Sequence, residues 1–451
     1  ERWRLGCRRA GGRRARRARG LALNALGRRP LAIITALGTG LAVPLLVLGP
    51  GAMAGVLGLV LLAALAEGGR GEALRRAARC LRTPLGLALA LTLVFWLVSA
   101  VASIDPWRSL EKWLRVLVFT GAAAFLWARL SDRPDMLRDV LKALVAATLV
   151  VGLFAALALH LWPPLIAAIR LGAWDPKPAT GLLKEFGSVA ACLLPLALGA
   201  GFHLGGLWRA AGVLCLPVVV ALLVVTDSYA GFLGLLAAAA VVGVIWLIRR
   251  LPPRPGRLVA AGAVLVVLIS VWAVLSGLPE PPYLGPDQLG LPAWLVDPHR
   301  QVIWGAAFFD ALNAPWFGYG IDTVSSLPGA DVIVPAFNQE YIPSHPHNWV
   351  LELLVDTGLI GLVAALAALT VLIWRFARAV ATEARPMAWA GLALAGAFWG
   401  SSLVNFSIWA AWWQGTFLVL AAIVFAATRP PPTGARLQEK PSELARSAIG
   451  I

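Results

Sequence analysis

Charged side chains are scarce in this chain of 451 residues, where Asp, Glu, Lys and Arg together make up 14% of the sequence. A soluble globular protein carries about 25% charged residues. Apolar residues reach 59%, and the mean hydropathy is +0.78. This composition excludes a soluble enzyme and a disordered chain. It predicts a bundle of membrane helices, each of which needs about 20 apolar residues.

Cysteine is also rare, with four residues in the chain. Cys7 and Cys80 lie in basic stretches, whereas Cys192 and Cys215 lie within apolar runs. None of the four has the spacing of a metal site. A disulfide framework is therefore not expected.

Acidic residues are outnumbered by basic residues, 23 to 39, which gives a formal net charge of +16. Eleven of the basic residues lie in positions 1–29, and most of the others lie in short gaps between apolar runs. This distribution is typical of the cytoplasmic loops of a membrane protein, not of a nucleic-acid-binding face. We therefore expect no nucleic-acid partner, and we expect membrane lipids to contact the basic N-terminus.

The apolar runs predict an all-α, polytopic membrane protein with about twelve spans. With the N-terminus in the cytoplasm, inside segments hold 32 basic residues and outside segments hold 7, which supports twelve spans with both ends inside. The predicted organisation is a basic cytoplasmic N-terminus (1–30), helices 1–9 (31–278), a long outer loop (279–346), helices 10–12 (347–427) and a cytoplasmic tail (428–451). The predicted spans are 31–48, 51–66, 84–103, 113–130, 139–161, 182–203, 207–226, 229–248, 258–278, 348–374, 386–405 and 410–427.

The outer loop 279–346 is the most informative segment outside the spans, because a loop of this length in a compact protein tends to be functional. It carries seven acidic residues and a single basic residue, Arg300. Apolar residues, including Val302 and Ile303, recur at helical spacing over about 299–312. We therefore expect a short amphipathic helix on or near the outer membrane face.

Two histidines stand at the start of the tenth span, in Ser344-His345-Pro346-His347-Asn348. Pro346 fits the first turn of a helix, and Ser344 or His345 can cap it, so His347 is expected in the first turn at the membrane surface. A neutral histidine in that place suits general-base chemistry at pH 7. The two rings are expected to diverge at a helix start and no third ligand is evident, so we expect no metal.

A polar stripe continues along the same span. Asn348, Glu352 and Asp356 are spaced i, i+4 and i+8, so they share one helix face. Acidic residues within a span are costly and usually face a cavity or a partner. Two interpretations stay open: the stripe supports a functional site beside His347, or it packs against polar groups of other helices.

Two cations on the outer side are candidates for binding an anionic substrate. Arg300 suits this role because a guanidinium group binds phosphate with paired hydrogen bonds; the alternative is a salt bridge to Asp297 or Asp310. Lys184 lies near the outer end of the sixth span. It either directs its charge at a lipid phosphate, extends to the membrane surface or pairs with Glu185.

Two spaced motifs resemble those of the O-antigen ligase family, within the wider O-antigen ligase/polymerase superfamily. His347-Asn348 is followed after nine residues by Gly358-Leu359-Ile360-Gly361, which resembles the family's His-Asn pair and Gly-x-x-Gly. Upstream, Arg300-Gln301-Val302-Ile303-Trp304 and then Pro315-Trp316-Phe317-Gly318-Tyr319-Gly320 are similar to the family's Arg-x-x-x-Trp and Pro-x-x-Gly-x-Gly. One stretch departs from the family: Asp227-Ser228-Tyr229-Ala230-Gly231 lacks the arginine that many relatives carry there.

The resemblance implies a metal-independent glycosyltransferase of the GT-C type, without a cofactor, in the bacterial inner membrane. Ligases of this family transfer a glycan from undecaprenyl diphosphate to lipid A–core on the periplasmic face, which completes lipopolysaccharide. The resemblance assigns the catalytic base to His347 and diphosphate binding to Arg300, and Lys184 is our candidate for the missing cation. Supporting roles are assigned to His345, Asn348, Glu352 and Asp356.

Several alternatives stay open at this point. A related polymerase would join repeat units on the lipid carrier, and a protein O-oligosaccharyltransferase would use the same donor with a protein acceptor. A lipid-linked glycan transporter or flippase would need charged residues near the middle of several spans, and few are present. The enzyme alternatives share the same donor, and nothing in the sequence identifies the acceptor.

Overall fold

The structure is a computed structural model that describes residues 30–170, 181, 183–383 and 385–429. Most of the predicted N-terminal segment and all but the start of the predicted tail lie outside the described residues. The described part is almost entirely helical, with one antiparallel pair of short strands, β1 (Ile333–Val334) and β2 (Gln339–Glu340). This confirms the predicted helical, polytopic fold class in its coarse form.

Most of the helices begin at a proline, whose fixed φ suits the first turn of a helix. Some have a side-chain cap as well; Asp105, for example, accepts a hydrogen bond from the backbone N–H of Arg108 (3.1 Å). The helices of the described residues are α1 (Pro30–Ala42), α2 (Pro50–Ala66), α3 (Arg70–Arg79), α4 (Pro84–Val101), α5 (Pro106–Ser131), α6 (Pro134–Leu161), α7 (Pro163–Ile169), α8 (Lys184–Leu204), α9 (Leu207–Val225), α10 (Tyr229–Arg250), α11 (Pro253–Ser276), α12 (Pro298–Asn313), α13 (Trp349–Glu383), α14 (Pro386–Ser401) and α15 (Ala411–Ala427).

Each predicted apolar run coincides with a helix, but the count of twelve spans is not confirmed. Within the described residues, eight helices are long and apolar enough to cross a membrane: α4, α5, α6, α8, α9, α10, α11 and α13. The pair α2 and α3 is bent by 110° and qualifies as one broken span or as a re-entrant loop. The remaining apolar runs form α1, α14 and α15, and α14 and α15 have only 16 and 17 residues.

α8 lies at the centre of the bundle, where most of its length is buried against α6, α9, α10 and α14. Small residues allow this close packing. Gly199 of α8 faces Ala390 of α14, and Gly234 of α10 faces the backbone of Ala397, so that a Cβ at either glycine would be too close. α11 instead exposes a row of large apolar side chains, as a lipid-facing helix does.

α13 is interrupted at Gly358, whose φ of 65° and ψ of −175° are not helical. On the N-terminal side of the break, the carbonyls of Val355 and Asp356 accept hydrogen bonds from outside the helix. The N–H groups of Tyr319 and Gly320 donate to them, each at 2.9 Å. The outer loop therefore donates hydrogen bonds to carbonyl groups that no longer receive one from the next turn of the helix.

The same loop supplies acceptors on the other side of the break. The N–H groups of Leu359 and Ile360 donate to the carbonyls of Pro315 (2.7 Å) and Trp316 (3.3 Å). Unsatisfied backbone groups are costly in a membrane protein, and here segment 315–320, which we call the bridging segment, satisfies them. The Pro-x-x-Gly-x-Gly motif thus hydrogen-bonds to the backbone around the Gly-x-x-Gly motif, so the two motifs form one structural feature.

α12 is the helix that the sequence predicts within the outer loop. Asp297 caps it by accepting hydrogen bonds from the N–H groups of His299 (3.0 Å) and Arg300 (3.3 Å). The helix is less amphipathic than predicted, because residues 301–307 are all buried. The loop forms a small apolar core of its own with the N-terminal part of α13, so α12 is covered by protein on most sides.

We predict that Gly358→Ala destabilises the protein. A φ near +65° costs an L-residue about 1–2 kcal/mol, and the new Cβ would also overlap the backbone of Trp316. The free energy of unfolding should fall by about 2 kcal/mol or more, seen as a lower thermal midpoint of the purified protein in detergent. Gly262→Ala is the matched control, because Gly262 lies in α11 with open space around it. Equal midpoints for the two variants would contradict the structural role of the break.

Candidate functional site

The segments that the charge distribution places outside meet at one end of the bundle. The N–H of Ile104, before α5, donates to the carbonyl of Tyr319 in the outer loop (2.9 Å). Ser228, in the turn between α9 and α10, has its hydroxyl 3.5 Å from that of Ser188 in α8. Asn405, in the linker between α14 and α15, donates to Ser188 Oγ (2.8 Å). The candidate site residues lie at this end.

His345 and His347 lie side by side just before α13, with ring centroids 4.1 Å apart. The expectation that the rings diverge is wrong, because the helix begins at Trp349 and both histidines precede it. His347 has a φ of 54°, in the left-handed region that residues other than glycine rarely adopt. Such strained residues cluster at functional sites, where surrounding contacts hold them in place.

Asn348 caps α13. Its Oδ1 accepts hydrogen bonds from the N–H groups of Val350 (3.0 Å) and Leu351 (3.3 Å). The predicted cap at Ser344 or His345, with a proline in the first turn, is therefore wrong by three or more residues. Asn348 holds the start of the helix directly after His347, which explains the His-Asn pair in physical terms.

Hydrogen bonding defines the tautomer of His347. Its Nδ1 lies 3.2 Å from the backbone carbonyl of Asn405, which can only accept, so Nδ1 carries the proton of the neutral ring. Nε2 then keeps its lone pair. Burial lowers the pKa of His347 to about 3; the charges of His345 and Arg300 add to this shift, and the Asn405 carbonyl opposes it. A ring that is neutral at pH 7 keeps a lone pair on Nε2 that can accept a proton, as a general base must.

His345 is the second candidate ring. Its Nδ1 lies 2.8 Å from the hydroxyl of Ser344, and its Nε2 is buried with no hydrogen-bond partner among the described residues. Burial lowers its pKa, and the carbonyl of Asn405 opposes that shift. Throughout the described ranges, no group of three or more His, Cys, Asp or Glu residues is arranged to hold a metal ion.

Trp304 connects α12 to the histidine segment. Its indole N–H donates to the carbonyl of Pro346 (2.8 Å), between the two histidines. Arg300 lies four residues earlier and therefore on the same face of α12. Its charge contributes to the lowered pKa of His347, so the two groups are within electrostatic reach. The Arg-x-x-x-Trp spacing thus places a cation within electrostatic reach of the candidate base.

Arg300 forms no ion pair among the described residues, so the alternative of a salt bridge to Asp297 or Asp310 is not realised there. Asp297 is occupied as the cap of α12, and Asp310 lies about 15 Å further along the helix axis. Burial lowers the pKa of the half-buried Arg300, which the Asp297 carboxylate opposes. A guanidinium group in this setting is well suited to bind an anionic ligand.

The acidic stripe of α13 is buried and accepts hydrogen bonds from the α14–α15 linker and from the outer loop. Glu352 is 1% exposed and Asp356 is 0% exposed. Glu352 accepts hydrogen bonds from the hydroxyl of Ser407 and the N–H of Ile408 (2.9 Å), and Asp356 accepts one from the indole N–H of Trp409 (2.6 Å). Glu352 and Asp356 thus pack against polar groups of the linker whose Asn405 carbonyl contacts His347, and their supporting role in the site stays a prediction.

Lys184 is the first residue of α8 and is exposed. The alternative pairing with Glu185 is not seen, because Glu185 pairs with Arg170. Lys184 lies one helical turn before Ser188, the residue that contacts Asn405, and so belongs to the same end of the bundle. Within the described residues, no contact joins it to the histidines or to the arginine of α12.

Sequence reasoning missed a row of cations on α5. Arg108, Lys112 and Arg115 are spaced i, i+4 and i+7, so they share one face. Arg108 Nε (3.2 Å) and Lys112 Nζ (3.5 Å) contact the carboxylate of Asp322, and Arg115 donates to the carbonyl of Trp409. The helical spacing was visible in the sequence, but partners 214 and 294 residues away were not.

Comparison with known proteins agrees with this arrangement. The sequence profile of the family described as O-antigen ligase matches residues 210–366. The matched region contains α10, α11 and α12, the bridging segment, both histidines and the break at Gly358. It therefore includes the residues that the structure brings together around His347, except for those of α5, α8 and the α14–α15 linker.

Rickettsial proteins that are provisionally named polysaccharide ligases are also similar to this chain. The protein of Rickettsia felis is 22% identical over 366 residues, which is 78% of this chain and 84% of that protein. The protein of Rickettsia conorii is 24% identical over 218 residues, which is 47% of this chain and 50% of that protein, so only half of that relative is spanned. Together with the two motifs, these matches confirm the resemblance to the O-antigen ligase family that the sequence indicates.

Proposed function

We propose that this protein is an O-antigen ligase that transfers a glycan from undecaprenyl diphosphate to a sugar hydroxyl of lipid A–core. The reaction takes place on the periplasmic face of the bacterial inner membrane, with both ends of the chain in the cytoplasm. The observation that carries the proposal is the juxtaposition of two groups: a neutral His347 whose Nε2 keeps its lone pair, and a half-buried Arg300 without an ion-pair partner among the described residues.

The proposed reaction is a single displacement. Nε2 of His347 takes the proton of the acceptor hydroxyl while its oxygen attacks the anomeric carbon of the donor. The bond between that carbon and the phosphate oxygen breaks, and undecaprenyl diphosphate leaves with the electron pair. Attack opposite the leaving group inverts the anomeric centre. Arg300 stabilises the growing negative charge with paired hydrogen bonds, so the proposal needs no metal ion.

A diphosphate carries more charge than one guanidinium offsets, so a second cation belongs to the proposal. The turn between α9 and α10 contains Asp227, Ser228 and Tyr229, without the arginine of many relatives. Lys184 is our candidate, because it is exposed at the same end of the bundle and its helix contacts that turn through Ser188.

The acceptor is tested directly with purified protein and one lipid-diphosphate donor. Three acceptors are supplied in parallel: lipid A–core, a lipid-linked repeat unit and a protein. Transfer to lipid A–core supports the ligase. Transfer only to the repeat unit would identify a polymerase, transfer only to protein would identify an O-oligosaccharyltransferase, and donor movement across a membrane without any transfer would identify a flippase.

His347→Ala should lower the rate of transfer by about 100-fold or more, because a positioned general base contributes that much. The variant should still fold, with an unchanged thermal midpoint in detergent. His345→Ala should be milder, and His203→Ala, at the other end of α8, is the control that should keep full activity. A dead His345 variant beside an active His347 variant would move the base to the other ring.

Arg300→Ala should cut transfer at least tenfold, because charge-assisted hydrogen bonds are worth about 1.5–3 kcal/mol. Arg300→Lys should recover only part of the activity, since it restores charge without the paired geometry, and Lys184→Ala should lose less. Asn313→Ala, at the exposed end of the same helix, is the matched control. Donor saturation and maximal rate that are both unchanged in Arg300→Ala would place the diphosphate elsewhere.

The pH profile reports the state of the base. Because burial lowers the pKa of His347 to about 3, the ring stays neutral as pH falls from 7, and kcat/KM should be level down to about pH 5. Burial raises the pKa of Asp310 to about 6, so the profile should be measured in Asp310→Asn as well, which removes this group. An acid limb centred near pH 6.5 in both proteins would contradict the buried, neutral His347.

A further inference from the structure

We propose that an arginine-lined cavity at the opposite end of the bundle binds the headgroup phosphate of an anionic phospholipid. This arginine cavity has a volume of about 300 Å³ and lies between α3, α5, α13 and the end of α15. The side chains that define it are Arg76, Arg79, Trp127, Arg375, Phe425 and Arg429. The proposal is independent of glycan transfer, because none of these residues belongs to the candidate site.

The charges around the cavity do not balance. Arg76 and Arg429 share one carboxylate, that of Asp132, and Arg429 reaches it only at 3.8 Å. Arg79 pairs with Glu72 at 3.3 Å. Among the described residues, two carboxylates thus face the four arginines of the cavity, which leaves a formal excess of positive charge that an anionic group would offset.

Arg375 provides the most available guanidinium group. Its Cζ lies 4.8 Å from the ring centroid of Phe425, within the range of a cation–π interaction. Among the described residues no carboxylate forms an ion pair with Arg375. A guanidinium without a carboxylate partner keeps N–H groups for hydrogen bonds, and phosphate oxygens accept them in pairs.

The position of α3 places the cavity at the level of lipid headgroups. α3 turns by 110° from α2, and Arg129 of α5 fixes this bend through the Glu67 carboxylate (2.6 Å) and the Gly68 carbonyl (2.9 Å). If α2 runs along the membrane normal, the bend of 110° turns α3 roughly parallel to the membrane surface. A short arginine-rich helix in that orientation belongs at the interface between lipid and water. The distribution of basic residues assigns this end to the cytoplasm, where basic pockets between helices bind anionic headgroups.

The excess charge also predicts which headgroup the cavity prefers. Phosphatidylcholine carries a phosphate and its own cation, which the arginines would repel. Phosphatidylglycerol carries the same phosphate with an uncharged glycerol. The cavity should therefore discriminate between two lipids that share their acyl chains and their phosphodiester.

The test is native mass spectrometry of the full chain in a neutral detergent, titrated with phosphatidylglycerol or with phosphatidylcholine of the same chains. Phosphatidylglycerol should half-saturate the protein at a concentration at least fivefold lower. Arg375→Gln should remove about fivefold of that preference, the factor expected for one basic residue near an anionic lipid. Arg378→Gln is the matched control on the same helix, because its guanidinium lies over Trp374 and does not line the cavity.

Arg429→Gln, at the exposed end of α15, provides a second variant whose loss should not impair folding, and it should weaken the preference in the same direction. Inorganic phosphate is added as a competitor in a third arm, and retained lipid binding in its presence identifies the lipid as the ligand. Equal binding of both lipids, equal loss in Arg375→Gln and Arg378→Gln, or complete displacement by inorganic phosphate would each overturn the proposal.

Discussion

The outer half of this protein depends on the interruption of one membrane helix. A backbone break in a span is tolerated only where its polar groups find other partners. For α13, the bridging segment 315–320 supplies those partners on both sides of Gly358. The approach is close enough that a side chain at Gly318, Gly320 or Gly358 would overlap neighbouring atoms. The outer loop is therefore joined to the helix bundle by backbone hydrogen bonds and is a structural part of it.

The candidate base is held from three directions that meet because of this break. Trp304 of α12 holds the carbonyl of Pro346, Asn348 caps the helix that follows, and the carbonyl of Asn405 accepts from the imidazole of His347. The buried carboxylates of α13 keep the Asn405 linker in place. Each contact comes from a different element, so the site is a property of the assembled end of the bundle and not of any single motif.

Local patterns allowed part of this to be predicted. Apolar runs indicated the helices, and the motifs indicated His347 and Arg300 as candidate site residues. The number of spans was not predictable in the same way. An apolar run does not fix where its helix ends, and α14 and α15 end after only 16 and 17 residues. The left-handed backbone of His347 and the contacts of Arg108 with Asp322 result from tertiary hydrogen bonds and ion pairs between distant segments.

The hydrogen bond that orients His347 ends on a main-chain oxygen, which no side-chain substitution can remove. The oxygen that controls the tautomer is therefore present whatever residue stands at position 405, and it leaves no signature in a sequence. That oxygen also lies beyond residue 366, where the family match ends. A chain cut after the broken helix would keep every motif residue and lose the atom that decides which nitrogen bears the proton. The region that the family match covers is thus shorter than the part of the chain that the proposed chemistry requires.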